Sequence, residues 1–192
     1  MKIFFDTEFT GLYQNATLIS IGMVANNYEK STFYAEFVDY DKEYIKNDEW
    51  IQKNVMDNLL FKGKESESIV NYKRDKDMEV KGTSEFVVKM LRQWLTDIGG
   101  NEYQLVSDVC HYDMVLFLEL FGGAFGLPKY INPACHDINQ DIASVFHISE
   151  KEAFDLNREE IAENLGFVSD SVNKHNALHD AKVIEYISNN LK

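Results

Sequence analysis

The strand pattern of the first 37 residues most constrains the fold of this chain. Short apolar stretches at Lys2–Phe5, Thr17–Ala25 and Ser31–Phe37 have the length and side-chain types of β-strands. The second and third stretches are separated by the five residues Asn26–Lys30. That spacing predicts an antiparallel meander at the start of the fold.

Helix and strand patterns alternate through the rest of the chain. The clearest amphipathic helix is Thr83–Ile98, where apolar residues recur at helical spacing before two glycines end it. A short strand is predicted at Gln104–Ser107. Further helices are predicted at Asp48–Leu60, from Met114 to Phe121, from Asn157 to near Gly166, and from Asn176 almost to Lys192. This order predicts an α/β fold in which helices flank a mixed sheet.

The stretch Lys62–Gly82 is rich in Lys, Glu, Asp and Ser and has few apolar residues. It predicts an exposed excursion, either a solvated loop or a lid over a functional site. The chain of 192 residues is long enough for one good-sized core, so a single domain is expected over residues 1–192.

The formal net charge of −13 limits how this chain can bind nucleic acid. A broad basic surface that grips long duplexes is disfavoured, because phosphate contacts supply most non-specific affinity. An enzyme that takes one nucleic-acid end into a metal-filled pocket is compatible with the charge, since bound cations reverse it locally. Short or single-stranded substrates fit this charge better than long duplexes.

Cysteine usage and hydropathy indicate a cytoplasmic protein. Cys110 and Cys135 have no neighbouring Cys or His at the spacing of a zinc site, and a disulfide framework is not expected. The apolar run before Asp6 is too short for a signal peptide, and no later run approaches a membrane span. We therefore expect no membrane contact.

Asp6 and Glu8 lie one residue apart directly after the first apolar strand. Carboxylates cost free energy beside an apolar strand unless a partner neutralises them. Oxygen ligands of this type suit Mg²⁺ or Mn²⁺. For this pair taken alone, a solvated turn is the alternative.

Asp180 is the acid on the inward face of the helix that follows Asn176, where its neighbours are Ala177, Ala181, Ile184 and Ile187. A carboxylate among apolar residues is expected to be paired or to bind a metal, although a first-turn acid also suits the helix dipole. His175 lies five residues earlier, about 140° around an ideal helix. It is therefore predicted on the approach loop, where it can lean over a site that Asp180 lines.

A third acidic region follows the strand Gln104–Ser107. Asp113, next to Tyr112, is expected at a helix start, and Asp108 at the end of the strand is a second candidate ligand. A first-turn acid without a ligand role is the alternative for Asp113. Four carboxylates that converge from three chain regions are expected to surround cations.

Together these residues resemble the motifs of the DEDDh branch of the 3′→5′ exonucleases, which includes oligoribonuclease, RNase T and the proofreading subunits of replicative polymerases. The first motif, Asp-x-Glu-x-Thr-Gly-Leu, is matched by residues 6–12. The second, commonly Asn-x-x-Phe-Asp, is matched only in its last part by Tyr112 and Asp113. The third, His-x₄-Asp, is matched by His175 and Asp180. The variant Asp-Thr-Glu-Phe is also similar to a small group of bacterial and phage proteins related to a mycobacterial exoribonuclease.

The resemblance implies an RNase H-like fold and a metal-dependent 3′→5′ exonuclease. Two Mg²⁺ or Mn²⁺ ions would be held by Asp6, Glu8, Asp113 and Asp180. Asp6 would bridge the ions and His175 would act as general base, a role that suits an imidazole because its unperturbed pKa is about 6.5. The substrate would be RNA or a short single-stranded oligonucleotide, and the product a nucleoside 5′-monophosphate.

The same resemblance implies where the substrate binds. Backbone near Phe9 and Thr10 would touch the terminal sugar, and Leu12 would wedge against the terminal base. Ordinary core packing is the alternative for Phe9 and Leu12. Relatives often form homodimers, so a dimer is compatible with the resemblance.

Several assignments have rivals. His179 directly precedes Asp180 and competes with His175, although it would point away from the inward face; His111 and His136 are expected to be structural or solvated. A 3′→5′ DNA exonuclease is the nearest alternative function, because motif residues contact phosphate and metal and do not report the sugar. A catalytically inactive nucleic-acid-binding or scaffold module on the same fold is another.

Overall fold

The computed structural model of the protein describes residues 1–64, 66, 68–74, 76–168 and 175–192. Within these residues the strands are β1 (Lys2–Phe9), β2 (Leu18–Ala25), β3 (Thr32–Phe37), β4 (Ile69–Arg74), β5 (Asp77–Gly82), β6 (Gln104–Ser107) and β7 (His136–Asp137). They form one sheet in the order β4-β5-β3-β2-β1-β6-β7.

The sheet combines antiparallel and parallel pairs. β1, β2 and β3 pair antiparallel in succession, which confirms the predicted meander. β6 runs parallel to β1, and β5 runs parallel to β3. The predicted mixed sheet is therefore confirmed, with β1 and β2 near its centre.

Helices cover both faces of this sheet. In the part of the chain that the structure describes they are α1 (Lys42–Ile45), α2 (Glu49–Asn54), α3 (Ser84–Ile98), α4 (Cys110–Glu119), α5 (Ile138–Phe146), α6 (Glu150–Phe154), α7 (Arg158–Asn164) and α8 (Ala177–Asn190). Short 3₁₀ turns lie at Met56–Asn58 and Ala124–Gly126. None of the helices described has the length and apolar character that crossing a bilayer requires.

Apolar side chains of β1 fill a core on each side of the sheet. Ile3 and Phe5 pack with Trp94 of α3 and Phe117 of α4 on one side. Phe4 packs with residues of α5, α7 and α8 on the other side. Because side chains alternate along a strand, the even-numbered residues of β1 share the face that α8 covers.

β1 is longer than the apolar pattern predicted. The sequence suggested an end at Phe5, but pairing with β2 continues to Phe9. Asp6, Thr7 and Glu8 each pair with a residue of β2, so their backbone groups belong to the sheet. Asp6 and Glu8 therefore lie in the last four residues of a central strand and not in a loop after it.

The prediction of an exposed excursion at residues 62–82 is wrong for its second half. β4 and β5 form a hairpin, and β5 is largely buried beside β3. The charged side chains that suggested a loop are paired: Asp77 accepts a hydrogen bond from the backbone N–H of Thr32 at 2.9 Å, and Glu79 pairs with Lys73 at 2.5 Å. β4, which carries Lys73, is the edge strand of the sheet, where charged residues discourage pairing with other chains.

Helix boundaries differ from the predictions in a few places. The helix predicted over Asp48–Leu60 is confined to α2 and a 3₁₀ turn, and α4 begins at Cys110, four residues before Met114. α1, α5 and α6 were not predicted. α3 agrees closely, because the Thr83 hydroxyl caps its first turn and Gly99, at φ +67°, ends it.

Candidate active site

Two acidic side chains of β1 lie on one face of the sheet. Asp6 pairs with Gly22 of β2, and Glu8 pairs with Ser20. Thr7 lies between them and faces the other way. Both carboxylates therefore project from the end of a central strand toward the side of the sheet that carries α8.

Gly22 lets α8 approach the sheet beside Asp6. A Cβ atom on Gly22 would lie 2.2 Å from the backbone N of Leu178 and 2.3 Å from the carbonyl carbon of Ala177, closer than real side chains come. The first turn of α8 therefore rests directly on β2. Asp180 lies in that first turn and is brought to the acids of β1.

Asn176 determines where α8 begins. Its side-chain Oδ1 accepts hydrogen bonds from the backbone N–H groups of Leu178 at 3.2 Å and His179 at 3.3 Å. His175, directly before this cap, has a left-handed φ of +63°. Its side chain therefore starts outside the helix, on the segment that leads into it.

Glu8, His175 and Asp180 form a compact cluster. One carboxylate oxygen or ring nitrogen of each residue lies within 4.8 Å of those of the other two. All three side chains retain intermediate exposure to solvent. Two carboxylates and one imidazole are thus available together at the surface.

Asp113 reaches the site from the opposite face of the sheet. Its carboxylate is 4% exposed and accepts hydrogen bonds from the backbone N–H of Thr7 at 3.0 Å, from the Thr7 hydroxyl at 2.5 Å and from the Ser107 hydroxyl at 2.6 Å. Burial raises the pKa of Asp113 to about 6, although these three hydrogen bonds lower it.

The four acids oppose one another's ionisation. Burial raises the pKa of Asp6 well above its ordinary value, and the charges of Asp113, Asp180 and Glu8 raise it further. Burial also raises the pKa of Glu8, with added repulsion from Asp180 and Asp113. Divalent cations among these oxygens would relieve the repulsion, and an all-carboxylate donor set suits Mg²⁺ or Mn²⁺.

Asp108, the alternative to Asp113, has other partners. Its carboxylate oxygens lie 2.9 Å from Nε and 2.9 Å from the terminal nitrogen Nη2 of Arg158. The side-chain amide of Asn139 donates to the same carboxylate at 2.8 Å. Asp108 is thus paired with a cation of the protein, whereas the donors to Asp113 among the described residues are neutral groups of Thr7 and Ser107.

A cavity of about 390 Å³ opens next to the cluster. Its wall includes several acids, one guanidinium and one imidazole. The lining residues are Asp6, Asp108, Asp155, Asn157, Arg158, Glu159, His175, Asp180, Val183 and Ile184. The arrangement offers a place for a phosphate-bearing chain end only when cations offset the acids.

A family model described as the Rv2179c-like 3′-5′ exoribonuclease domain matches residues 1–190. The chain belongs to this family. This membership identifies it as a 3′→5′ exonuclease, in agreement with the DEDDh-like motifs of its sequence. No curated protein sequence is significantly similar to the chain.

Solved structures of nucleases share the fold of this exonuclease. The nuclease domain of 3′hExo, a DEDDh family member bound to rAMP, is 17% identical with a TM-score of 0.62, over 97% of this chain and 88% of that one. A full-length 3′-exonuclease is 16% identical with a TM-score of 0.61, over 97% and 79%. The RNase domain of the yeast Pop2 protein is 14% identical with a TM-score of 0.59, over 97% and 75%. These matches confirm the RNase H-like fold.

The residues expected to contact substrate fall into two environments. Phe9 and Leu12 line a second hollow of about 340 Å³, and Leu12 is 71% exposed, so core packing does not account for it. Thr10 is buried, and its hydroxyl accepts from the backbone N–H of Thr17 at 3.0 Å and contacts the hydroxyl of Tyr13 at 2.7 Å. The side chain of Thr10 therefore supports the turn after β1.

Three other histidines of the exonuclease have acidic or aromatic neighbours. His179 Nε2 lies 3.0 Å from Glu159 Oε1, within reach of Asp180 on the cavity wall. His136 Nε2 lies 2.9 Å from an oxygen of Asp141, and His111 packs against the ring of Tyr112.

Sequence reasoning missed several residues that shape the site. Gly22 gave no signal, because a glycine inside a strand does not reveal which helix will cross it. Arg158 and Glu159 entered the sequence analysis only as part of the helix predicted from Asn157 to near Gly166, although both line the cavity. The placement of these residues at the cavity depends on contacts between distant chain positions, such as Asp108 and Arg158, whose numbers differ by 50.

Proposed function

We propose that this exonuclease shortens single-stranded RNA or short oligonucleotides from the 3′ end with two divalent ions and releases nucleoside 5′-monophosphates. The observation that carries the proposal is the cluster of Glu8, His175 and Asp180 within 4.8 Å, beside Asp6, whose pKa is raised by burial and by its acidic neighbours. A pocket of mutually repelling acids with an adjacent imidazole suits metal-assisted hydrolysis.

In this proposal the ions are held by Asp6, Glu8, Asp113 and Asp180. Bound Mg²⁺ or Mn²⁺ would offset the charge that develops on the scissile phosphate and make the attacking water more acidic. Asp113 keeps capacity for a metal ion, because a carboxylate has about four acceptor sites and the hydrogen bonds from Thr7 and Ser107 use three. Thr7 and Ser107 fix its orientation.

His175 acts as the general base. Its ring lies next to Glu8 and Asp180, at the edge of the cavity, where a water molecule attacking a bound phosphodiester would lose its proton. The leaving group is the 3′ oxygen of the penultimate nucleotide, so the product carries a 5′-phosphate. Asp6 would help to hold the ions, because it lies near Asp113, Asp180 and Glu8.

Three observations favour RNA over DNA. The matching family is described by exoribonuclease activity. One structural neighbour is bound to rAMP, and another is described as recognising a histone mRNA stem-loop at its 3′ end. The net charge of −13 favours short single strands over duplexes.

Digestion of matched oligonucleotides tests the proposal. A 5′-labelled single-stranded RNA incubated with Mn²⁺ or Mg²⁺ should shorten stepwise from its 3′ end, and RNA should be degraded faster than DNA of the same sequence. Asp6→Ala should abolish activity, whereas Glu163→Ala, an exposed acid of α7, should leave it unchanged.

Internal cleavage products, or no cleavage in any divalent metal, would refute the exonuclease mechanism and favour a binding or scaffold module. Faster degradation of the DNA strand would replace RNA with DNA as the substrate class. Full turnover by Asp6→Ala would remove Asp6 from the set of metal ligands.

A further inference from the structure

We propose that Trp50 is a positioning residue for His175. The inference rests on the proposed function, in which His175 is the general base. The indole of Trp50 and the imidazole of His175 have ring centroids 5.0 Å apart and planes at 70°, an edge-to-face contact. Trp50 is therefore placed to limit how the imidazole rotates.

The indole is held by a rigid support. Trp50 lies on α2, next to Ile51, which is buried in a small apolar cluster with Ile19 of β2 and Val55. Asp48 caps α2 by accepting from the backbone N–H of Ile51 at 3.0 Å. Rotation of the helix would expose Ile51, so the backbone that carries Trp50 is anchored relative to the sheet.

A second contact joins the same segment to the start of α8. The side-chain amide of Asn176 donates to the backbone carbonyl of Asn58 at 3.1 Å while its oxygen caps α8. The side-chain amides of Asn54 and Asn58 continue this chain back to the carbonyl of Trp50, at 2.8 and 2.7 Å. Residues 49–58 therefore contact His175 through Trp50 and Asn176 through Asn58.

The backbone of His175 explains why an external contact is needed. At φ +63° the residue lies in the left-handed region, which is unfavourable for a non-glycine residue. It precedes the helix cap, so no helical turn fixes its χ1 angle. Contact with a ring on another helix supplies the orientation that its own backbone does not.

Because Trp50 is 55% exposed, its positioning role must be distinguished from direct contact with substrate. An exposed aromatic ring near a nuclease site can also stack on a substrate base, and such stacking would contribute to binding. A positioning role instead affects the chemical step, because a misdirected base lowers the rate at saturating substrate. Measuring kcat and KM separately distinguishes the two.

The experiment compares Trp50→Ala and Trp50→Phe with Tyr72→Ala, an aromatic residue of β4 that is 62% exposed and distant in sequence from His175. With RNA and Mn²⁺, we expect Trp50→Ala to lower kcat about tenfold and to change KM less than twofold. Trp50→Phe should recover most of the rate because it retains a ring. Tyr72→Ala should match wild type.

Two further measurements make the inference falsifiable. In a His175→Ala background, removing the indole should have no additional effect, since residues that act as a unit are not additive. In NMR spectra, the ring protons of His175 should shift when the indole is removed, whether or not the protein is active. A wild-type enzyme without nuclease activity would refute the proposed function and leave this NMR test of the contact intact.

The inference is overturned if Trp50→Ala raises KM and leaves kcat unchanged, which would make Trp50 a substrate contact. It is equally overturned if the effects of Trp50→Ala and His175→Ala are additive. Unchanged His175 resonances in Trp50→Ala would show that the rings do not meet in solution.

Discussion

At the scale of single residues, the free energy of the site is dominated by carboxylates that destabilise one another. Asp6 is surrounded by Asp113, Asp180 and Glu8, and its pKa is raised by burial and by their charges. A raised carboxyl pKa means that ionisation destabilises the folded protein. The protein without metal therefore carries a local cost that bound cations would remove.

Asp6→Asn should stabilise the metal-free protein. The folded-state pKa of Asp6 lies above its unfolded value, so its ionisation lowers stability as pH rises from about 4. We expect a gain of at least about 1 kcal/mol at pH 7.5, or roughly 2–4 °C in Tm, that disappears near pH 4. Thermal unfolding in EDTA at both pH values measures this. A lower Tm at pH 7.5 would contradict the proposed repulsion.

With Mg²⁺ bound, wild type should become more stable than Asp6→Asn. Binding to the folded state stabilises wild type by about 2.7 kcal/mol at a metal concentration 100 times the dissociation constant. Asp6→Asn lacks a proposed ligand and should gain much less from the same titration. Equal gains in Tm for both proteins would place the ions elsewhere.

Replacing each histidine of the α8 segment separates the two candidates for the base. His175→Ala should lower kcat by about 10²–10⁴-fold, the usual contribution of a general base, and retain Mn²⁺ binding by calorimetry. His179→Ala should have a smaller effect, because His179 pairs with Glu159 at 3.0 Å. A larger loss in His179→Ala would exchange their roles.

The sequence predicted the acids and the histidine because they belong to short motifs at the ends of recognisable elements. It left Asp108 and Asp113 as alternatives, since both follow β6 within six residues. Only the partners separate them: Arg158 for Asp108, and Thr7 with Ser107 for Asp113. Such partners are distant in the chain and leave no local signal.

At the scale of elements, the docking of α8 on β2 brings the chain segments of the site together. The helix was predictable from its apolar spacing and from Asn176 as its cap, but its contact with Gly22 was not. The hairpin of β4 and β5 was also missed, because many of its residues are charged and β5 is buried by pairing with β3 and β4 and by packing against the core. Pairing between distant strands overrides local composition there.

Gly22→Ala should therefore impair both stability and activity. The added methyl group would lie 2.2 Å from the backbone of Leu178, so α8 must move away from β1. We expect a loss of about 1–3 kcal/mol and a larger drop in kcat than in RNA affinity. Gly63→Ala is a control, because nothing lies within 4 Å of its added atom, although its φ of +75° costs about 1 kcal/mol. Equal effects of both changes would remove the close approach as the cause.

The contact of Arg158 with Asp108 should stabilise the wall of the cavity. Arg158 of α7 also donates to the backbone carbonyls of Ala153 and Leu156, at 2.9 and 2.8 Å. Arg158→Met leaves Asp108 partly buried without its cation, and we expect a loss on the order of 2 kcal/mol in urea unfolding. The double variant Arg158→Met with Asp108→Asn should recover part of that loss. No recovery would mean that the backbone contacts carry the effect.

At the scale of the whole molecule, the net charge of −13 opposes contact with RNA. In the proposed function, most of the attraction would therefore come from divalent ions at the site and from apolar contact in the hollow beside Leu12. We expect His175→Ala to bind fluorescent single-stranded RNA with Mg²⁺ and to lose at least tenfold affinity in EDTA. Fluorescence anisotropy measures both. Equal affinity in EDTA would indicate a binding surface away from the acids.

The distance along the chain between Asp6 and Asp180 has a consequence for biosynthesis. Because α8 supplies one acid and the segment before it supplies His175, the cluster does not exist until residues 175–190 have been made and have settled onto Gly22. Under the proposed function, a half-synthesised polypeptide emerging from the ribosome would therefore be unable to degrade the message that encodes it.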